Sequence, residues 1–380
     1  MNSGQILERL IGFPTVSRDS NLALIEYVRE FLAARGVQSR LYPDASGRKA
    51  NLYACIGPAD CGGVLLSGHT DVVPVDGQRW SSDPFRLLER GDRLFGRGTA
   101  DMKGFLACAL RAADLASRRR LRLPLQLAFS YDEEVGCLGV HSLIDDMAGW
   151  AHRPRFCIVG EPTLLRPAIG HKGKTALTAS CHGRAAHSAN PERGVNAIHM
   201  AADLIERIRE RQAAIASGGA RDAAFEVPYT TVHVGVIHGG TALNIVPQRC
   251  QLQFEIRNLP ADDPGELLGA IRSDAAAIAG ELHADPEVRI EFELDHEYPG
   301  LDTPADAEVV ALAAALTGNH APIKVGFGSE GGLFNGRLGI ATVVCGPGSI
   351  DQAHKADEFV AVDQLQRCDA MLDALLERLA

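Results

Sequence analysis

The sequence predicts an α/β protein interrupted by a smaller α+β insert, and three observations carry that prediction. Short apolar runs alternate with helical patterns over most of the chain. Between about Lys174 and Leu294 the order changes to strand, helix, two strands, helix, strand, the split βαβ or ferredoxin-like arrangement. After Tyr298 the α/β pattern resumes. The 380 residues also exceed one ordinary core, since domains run to roughly 100–200 residues. Residues 1–173 and 295–380 are therefore expected to form one domain around an inserted 174–294.

In chain order, Asn21 to Arg35 sets Leu24, Val28, Phe31 and Leu32 on one helical face, and Gly36 stops it. Val64-Leu65-Leu66, Leu125 to Phe129, Phe156 to Val159 and Ala341 to Cys345 are apolar runs suited to strands covered on both faces. Gln251 to Arg257 instead alternates polar residues with Leu252, Phe254 and Ile256. That period of two puts one strand face on a core and leaves the other for solvent or ligand. The closing helix carries Val362, Leu365, Leu372, Leu375, Leu376 and Leu379 at helical spacing.

Composition narrows the function classes. A net charge of −10 argues against nucleic-acid and anionic-membrane partners, both of which need a cationic face. Arg118-Arg119-Arg120 with Arg122 is too short a basic run and reads as a solvated helix end. Nine cysteines, scattered singly with no C-x-x-C pair, make neither a disulfide framework nor a zinc knuckle. MNSGQILERL lacks a secretory pattern and no run approaches the ~20 apolar residues of a membrane span. The expected compartment is the cytoplasm.

Three decoys fail. Gly173-Lys174-Thr175 imitates a phosphate loop, but Ala168 stands where the first glycine belongs. His296-Glu297 begins an H-E-x-x-H motif that Gly300 breaks. Phe327 replaces the first glycine of a nucleophile elbow around Ser329.

What survives is a set of carboxylates and imidazoles just past the ends of predicted strands: His69 and Asp71, Glu133 and Glu134, Glu161, and His354 beyond Gly346-Pro347-Gly348. Asp101 precedes an apolar helix starting near Phe105. In open α/β sheets ligands bind at the carboxyl ends of strands. Carboxylates in such number around two imidazoles in one cleft need cations to offset their charge. Oxygen and nitrogen donors without thiolate suit zinc, cobalt or manganese.

Ser67-Gly68-His69-Thr70-Asp71-Val72-Val73-Pro74, Gly96-Arg97-Gly98-Thr99-Ala100-Asp101-Met102-Lys103-Gly104, Asp132-Glu133-Glu134 and Gly160-Glu161-Pro162-Thr163 resemble the M20 metallopeptidase family. The likeness continues through His171-Lys172-Gly173, Arg193-Gly194-Val195-Asn196-Ala197-Ile198, Pro228-Tyr229, Gly346-Pro347-Gly348-Ser349 and Ala353-His354-Lys355-Ala356-Asp357-Glu358, essentially the whole chain. It implies a mixed-sheet, di-metal exopeptidase-like domain whose insert serves as lid and homodimer interface.

Carried over residue by residue, the resemblance implies two divalent ions bridged by Asp101. His69 and Glu161 would hold one, Glu134 and His354 the other. Glu133 would be the general acid/base and Asp71 the carboxylate that orients His69. The family's cis peptide would fall at Asp101-Met102. His187 would assist the reaction from the neighbouring subunit, and Arg257, Asn244, Gly328 and Ser329 would line the substrate pocket. His171 and Lys172 are left open between hinge and pocket. The implied activity is hydrolysis of the amide of an N-acyl amino acid. N2-acetyl-L-ornithine comes first, giving ornithine and acetate as in arginine biosynthesis. Succinyl-diaminopimelate or other acyl amino acids are alternatives, as is, in another class, a non-catalytic metabolite-binding protein.

Overall fold

The computed structural model describes residues 1–282 and 286–380. The chain folds as two compact units, Met1–His171 with Leu301–Ala380, and Lys172–Gly300. The second unit thus takes Lys172, Gly173 and residues 295–300, which the sequence pattern assigns to the first. The physical reason is that strand Arg289–Tyr298 pairs along its length with Lys174–His182, down to Tyr298 opposite Lys174.

In the first unit the described residues form a nine-stranded mixed sheet. Its centre is four adjacent strands, Leu125–Ser130, Val64–His69, Phe156–Pro162 and Ala341–Gly346, all mutually parallel. Ser39–Pro43 and Ala50–Ile56 extend one side antiparallel. Ala168–His171 adds to the other side, where it pairs with Leu301–Asp302 and Ile323–Val325. Every residue of Val64–His69 and Leu125–Ser130 is buried, as expected of strands with both faces covered.

Helix Lys103–Ala116 is buried almost all round, because Ser3–Ile11 and Val362–Leu379 pack against it. The latter helix buries Leu365, Leu372, Leu375, Leu376 and Leu379, the stripe predicted from the sequence, though Val362 itself is only partly buried. Lys103 starts the central helix with a fully buried ammonium. It donates to Leu10 O at 3.2 Å and Phe13 O at 2.7 Å, satisfying carbonyls at the end of Ser3–Ile11. A three-stranded sheet of Leu88–Arg90, Arg93–Phe95 and Phe359–Ala361 sets the chain after residue 95 beside the chain before residue 359.

The second unit runs strand Lys174–His182, helix Ala197–Gly218, strands Thr231–Gly239 and Arg249–Arg257, helix Pro264–Leu282 and strand Arg289–Tyr298. Its antiparallel sheet has Thr231–Gly239 at one edge and Arg289–Tyr298 at the other, with Arg249–Arg257 and Lys174–His182 between, which is ferredoxin-like. Leu252, Phe254 and Ile256 face the helices in the core, as their alternation requires.

Candidate metal centre

The four central strands end on one side of the sheet, and the clustered donors come from those ends. His69 is the last residue of its strand and Glu161 lies near the end of Phe156–Pro162. Glu133 and Glu134 lie in the turn after Leu125–Ser130, and His354 lies in the segment after Ala341–Gly346. Asp101 precedes Lys103–Ala116, across a cis Asp101-Met102 peptide.

Asp101 divides its oxygens between two groups of donors. Oδ1 lies 2.9 Å from His69 Nε2, which is 3.5 Å from Glu161 Oε1. Oδ2 lies 3.3 Å from His354 Nε2, which is 3.0 Å from Glu134 Oε2. His69, Asp101 and Glu134 each offer an atom within 4.8 Å of the others, and so do His69, Glu133 and Glu161. All five expected ligands therefore meet, with Glu133 among them.

The electrostatics are those of a site short of positive charge. Burial, reinforced by neighbouring carboxylates, pushes Glu133 up to about 8 and Glu134 up to about 7. Glu161 rises well above the usual carboxylate range from burial and the Asp101 charge. Hydrogen bonds to Asp101 and Glu134 push His354 up to about 10, although burial opposes the shift. His69 also rises: burial works against its charge, and Glu161 and Asp101 outweigh it. Asp101 goes the other way, because the two imidazoles overcome its burial. Glu134 Oε1 is buried without a hydrogen-bond partner. Hard oxygen and imidazole donors, a bridging carboxylate and an orphaned buried oxygen fit a pair of divalent cations.

Asp71 corrects one expectation. His69 Nδ1 is 2.9 Å from the Asp71 backbone carbonyl, whereas its distance to Asp71 Oδ1 is 3.6 Å, too long for a hydrogen bond. The carboxylate instead accepts from Ser17 Oγ at 2.7 Å and from the amides of Glu133 at 3.2 Å and Glu134 at 3.3 Å. Asp71 thus orients the imidazole through its backbone and secures the Glu133-Glu134 turn with its side chain. Asp132 and Cys137 in that segment take positive φ, and Lys49 Nζ holds Asp132 at 2.5 Å.

The remaining predicted residues are divided. Ser329 is fully buried, and its hydroxyl accepts at 3.1 Å from the amide of Gly331, the first residue of the helix Gly331–Leu338. Gly328 lies beside it, half-buried. His187, Asn244 and Arg257 belong to the second unit. His187 is exposed, with Nδ1 accepting from Ala189 N at 3.1 Å. Asn244 is exposed and uses its backbone carbonyl to accept from Ser188 N. Arg257 reaches Glu255 at 2.9 Å and the Tyr298 hydroxyl at 3.1 Å. His171 Nε2 accepts from Gly332 N at 3.2 Å, and Lys172 donates to Tyr229 O at 2.5 Å.

Sequence reasoning missed Glu330, a buried carboxylate bonded to Ser67 Oγ at 3.2 Å and pushed by burial to about 7. It also missed Glu358, four residues beyond His354, and the thiol of Cys137, 3.4 Å from Glu133 Oε1. Their partners lie far away in sequence or carry no motif, and a glutamate after a serine gives no signal by itself.

The sequence profile of peptidase family M20/M25/M40 matches residues 65–378. The chain belongs to that family. As an M20 hydrolase it is 37% identical over 374 residues to the acetylornithine deacetylase of Myxococcus xanthus, covering 96% of this chain and 94% of that protein. It is 34% identical over 386 residues to that of Pasteurella multocida (strain Pm70), covering 98% and 96%. An M20 metallo-carboxypeptidase from Sulfolobus solfataricus superposes with a TM-score of 0.78 at 21% identity, covering 99% of each chain. A dinuclear metal binding M20 peptidase from Bacillus subtilis gives 0.68 at 14%, covering 99% of this chain and 97% of that one. These two show the fold the M20 chain shares.

Proposed function

We propose that this M20 hydrolase removes the acetyl group from N2-acetyl-L-ornithine, using two divalent cations. The observation that carries the chemistry is the division of Asp101 between a His69–Glu161 group and a His354–Glu134 group. The substrate reading is supported by relatives of that activity matching nearly the whole chain. When bound, the cations would neutralise the carboxylates, polarise the scissile carbonyl and lower the pKa of water toward about 7.

The protein's own groups then have separable tasks. His69, Asp101, Glu134, Glu161 and His354 hold the ions. Glu133, within reach of His69 and Glu161, accepts the proton of the attacking water and returns it to the departing amine. Arg257 offers a planar fork for the substrate carboxylate, in exchange for its present partner Glu255. His187 of the partner subunit donates to the developing oxyanion, Asn244 and Gly328 line the substrate site with Ser329 buried behind Gly328, and the second unit acts as lid and homodimer surface. The dimer reading is supported by exposed Val236 and Ile237 on the edge strand Thr231–Gly239, and by exposed Ile245 and Leu243.

The test is to strip the protein with a chelator, restore zinc, cobalt or manganese, and offer acetylornithine, succinyl-diaminopimelate and acetylated amino acids in parallel. Metal-dependent release of ornithine and acetate, with the highest kcat/KM on acetylornithine, is expected. Preference for a succinylated substrate, or binding without turnover, overturns the reading.

A further inference from the structure

Resting on the two-metal reading, we infer that Glu358 is a positioning residue that holds two of the metal-ligand segments, those of Asp101 and His354, through one carboxylate. Its side chain is 1% exposed. Oε1 accepts from Ala100 N at 2.9 Å and from the amide of Asp101 itself at 3.1 Å. Oε2 accepts from Gly98 N at 2.9 Å and from Arg97 at 2.8 Å. All four acceptor positions of the carboxylate thus face the segment that ends in the bridging aspartate.

The other end of the device is His354, four residues before Glu358, with a 53% exposed side chain and a left-handed φ of 62°. Little packing holds such a ligand. Arg97, completely buried and paired to Glu358, reaches back to it: one nitrogen donates to Lys355 O at 3.3 Å and another to Gln78 Oε1 at 2.6 Å. Gln78 in turn donates to His354 O at 2.9 Å. Pairing of Phe359 with Phe95 and the Gly96 N to Glu358 O bond of 2.9 Å fix the register of the two segments. The consequence is chemical. Asp101 must present two oxygens in two directions while His354 approaches one of them, and a single buried anion sets the backbone of the first and tethers the loop of the second. Supporting shells of this kind govern how well ligands bind metal.

The experiment compares full-length wild type, Glu358→Gln and Glu358→Asp, each stripped and titrated with Co²⁺ by calorimetry and visible absorption. The amide of Glu358→Gln turns donors toward backbone N–H groups. Its Co²⁺ affinity should fall about 10–100-fold for at least one ion, with an altered Co²⁺ spectrum and a loss in kcat larger than any change in KM. Glu358→Asp keeps the charge opposite Arg97 and should fall between, which also serves should the glutamine variant not fold. Variants that bind both ions with wild-type affinity and spectrum, losing only melting temperature, overturn the proposal while the two-metal reading stands. Wild type binding fewer than two ions overturns that reading, and the proposal with it.

Discussion

Glu133 and Glu134 are consecutive in sequence yet differ in their surroundings: Glu134 faces His354 at 3.0 Å, while Glu133 shares reach with His69 and Glu161 and meets the Cys137 thiol. Glu133→Gln should reduce kcat by about 100- to 10,000-fold, with metal content by elemental analysis unchanged. Unaltered kcat removes Glu133 from its assigned task. The same residues set a pH dependence. In the metal-free chain Glu133 and Glu134 bind protons more tightly folded than unfolded, so their contribution to stability is complete below 4.5 and is lost as pH climbs through about 7 to about 8. His354 acts in the same direction, complete below 6.5 and lost through about 10. Metal-free protein should therefore melt at a falling temperature from about pH 5 to about pH 9. Metal uptake should tighten over that interval and release protons, measurable by calorimetry in buffers of different ionisation enthalpy. A metal-free melting temperature that rises throughout contradicts this. Asp71 shows how far residue types reach: the His69-x-Asp71 spacing identified the partner, but a backbone carbonyl and a carboxylate two residues on are equally compatible with it, and only the folded chain separates 2.9 from 3.6 Å.

At the scale of elements, the donors depend on close backbone approach where strands end. A Cβ at Gly160, next to Glu161, would lie 2.0 Å from the Phe105 ring of the helix that follows Asp101. Gly160→Ala should cost about 1–3 kcal/mol or more and lower metal affinity, whereas Gly269→Ala, on the exposed side of Pro264–Leu282 with nothing near its Cβ, should be neutral or stabilising by up to about 1 kcal/mol. Urea unfolding of both variants checks the contrast, and equal effects sink it. The elements themselves were legible where periodicity was strong. Alternation in Gln251–Arg257 and the stripe from Leu365 to Leu379 follow from the period of each backbone. Glu330 and Glu358 were not legible as functional, because their roles come from partners 263 and 257 residues away, at Ser67 and Asp101.

For the whole molecule, the order of strands and helices made the inserted ferredoxin-like unit readable, while its limits were not. Strand Arg289–Tyr298 continues past Leu294 because its pairing with Lys174–His182 continues, with a register shift at Leu294/His296 that disrupts the simple alternation. Among the described residues no helix is long and apolar enough to cross a membrane. If the edge strand Thr231–Gly239 joins two copies, Val236→Lys with Ile237→Lys should convert a dimer into a monomer in sedimentation at micromolar concentration, and a variant of unchanged mass rejects that surface. The central claim, that two cations share Asp101, is tested most directly by anomalous diffraction from crystals of the cobalt- or zinc-loaded protein. Two peaks are predicted, both within coordinating distance of Asp101, one also beside His69 and Glu161 and the other beside Glu134 and His354. A single peak, or ions bound away from Asp101, would contradict it.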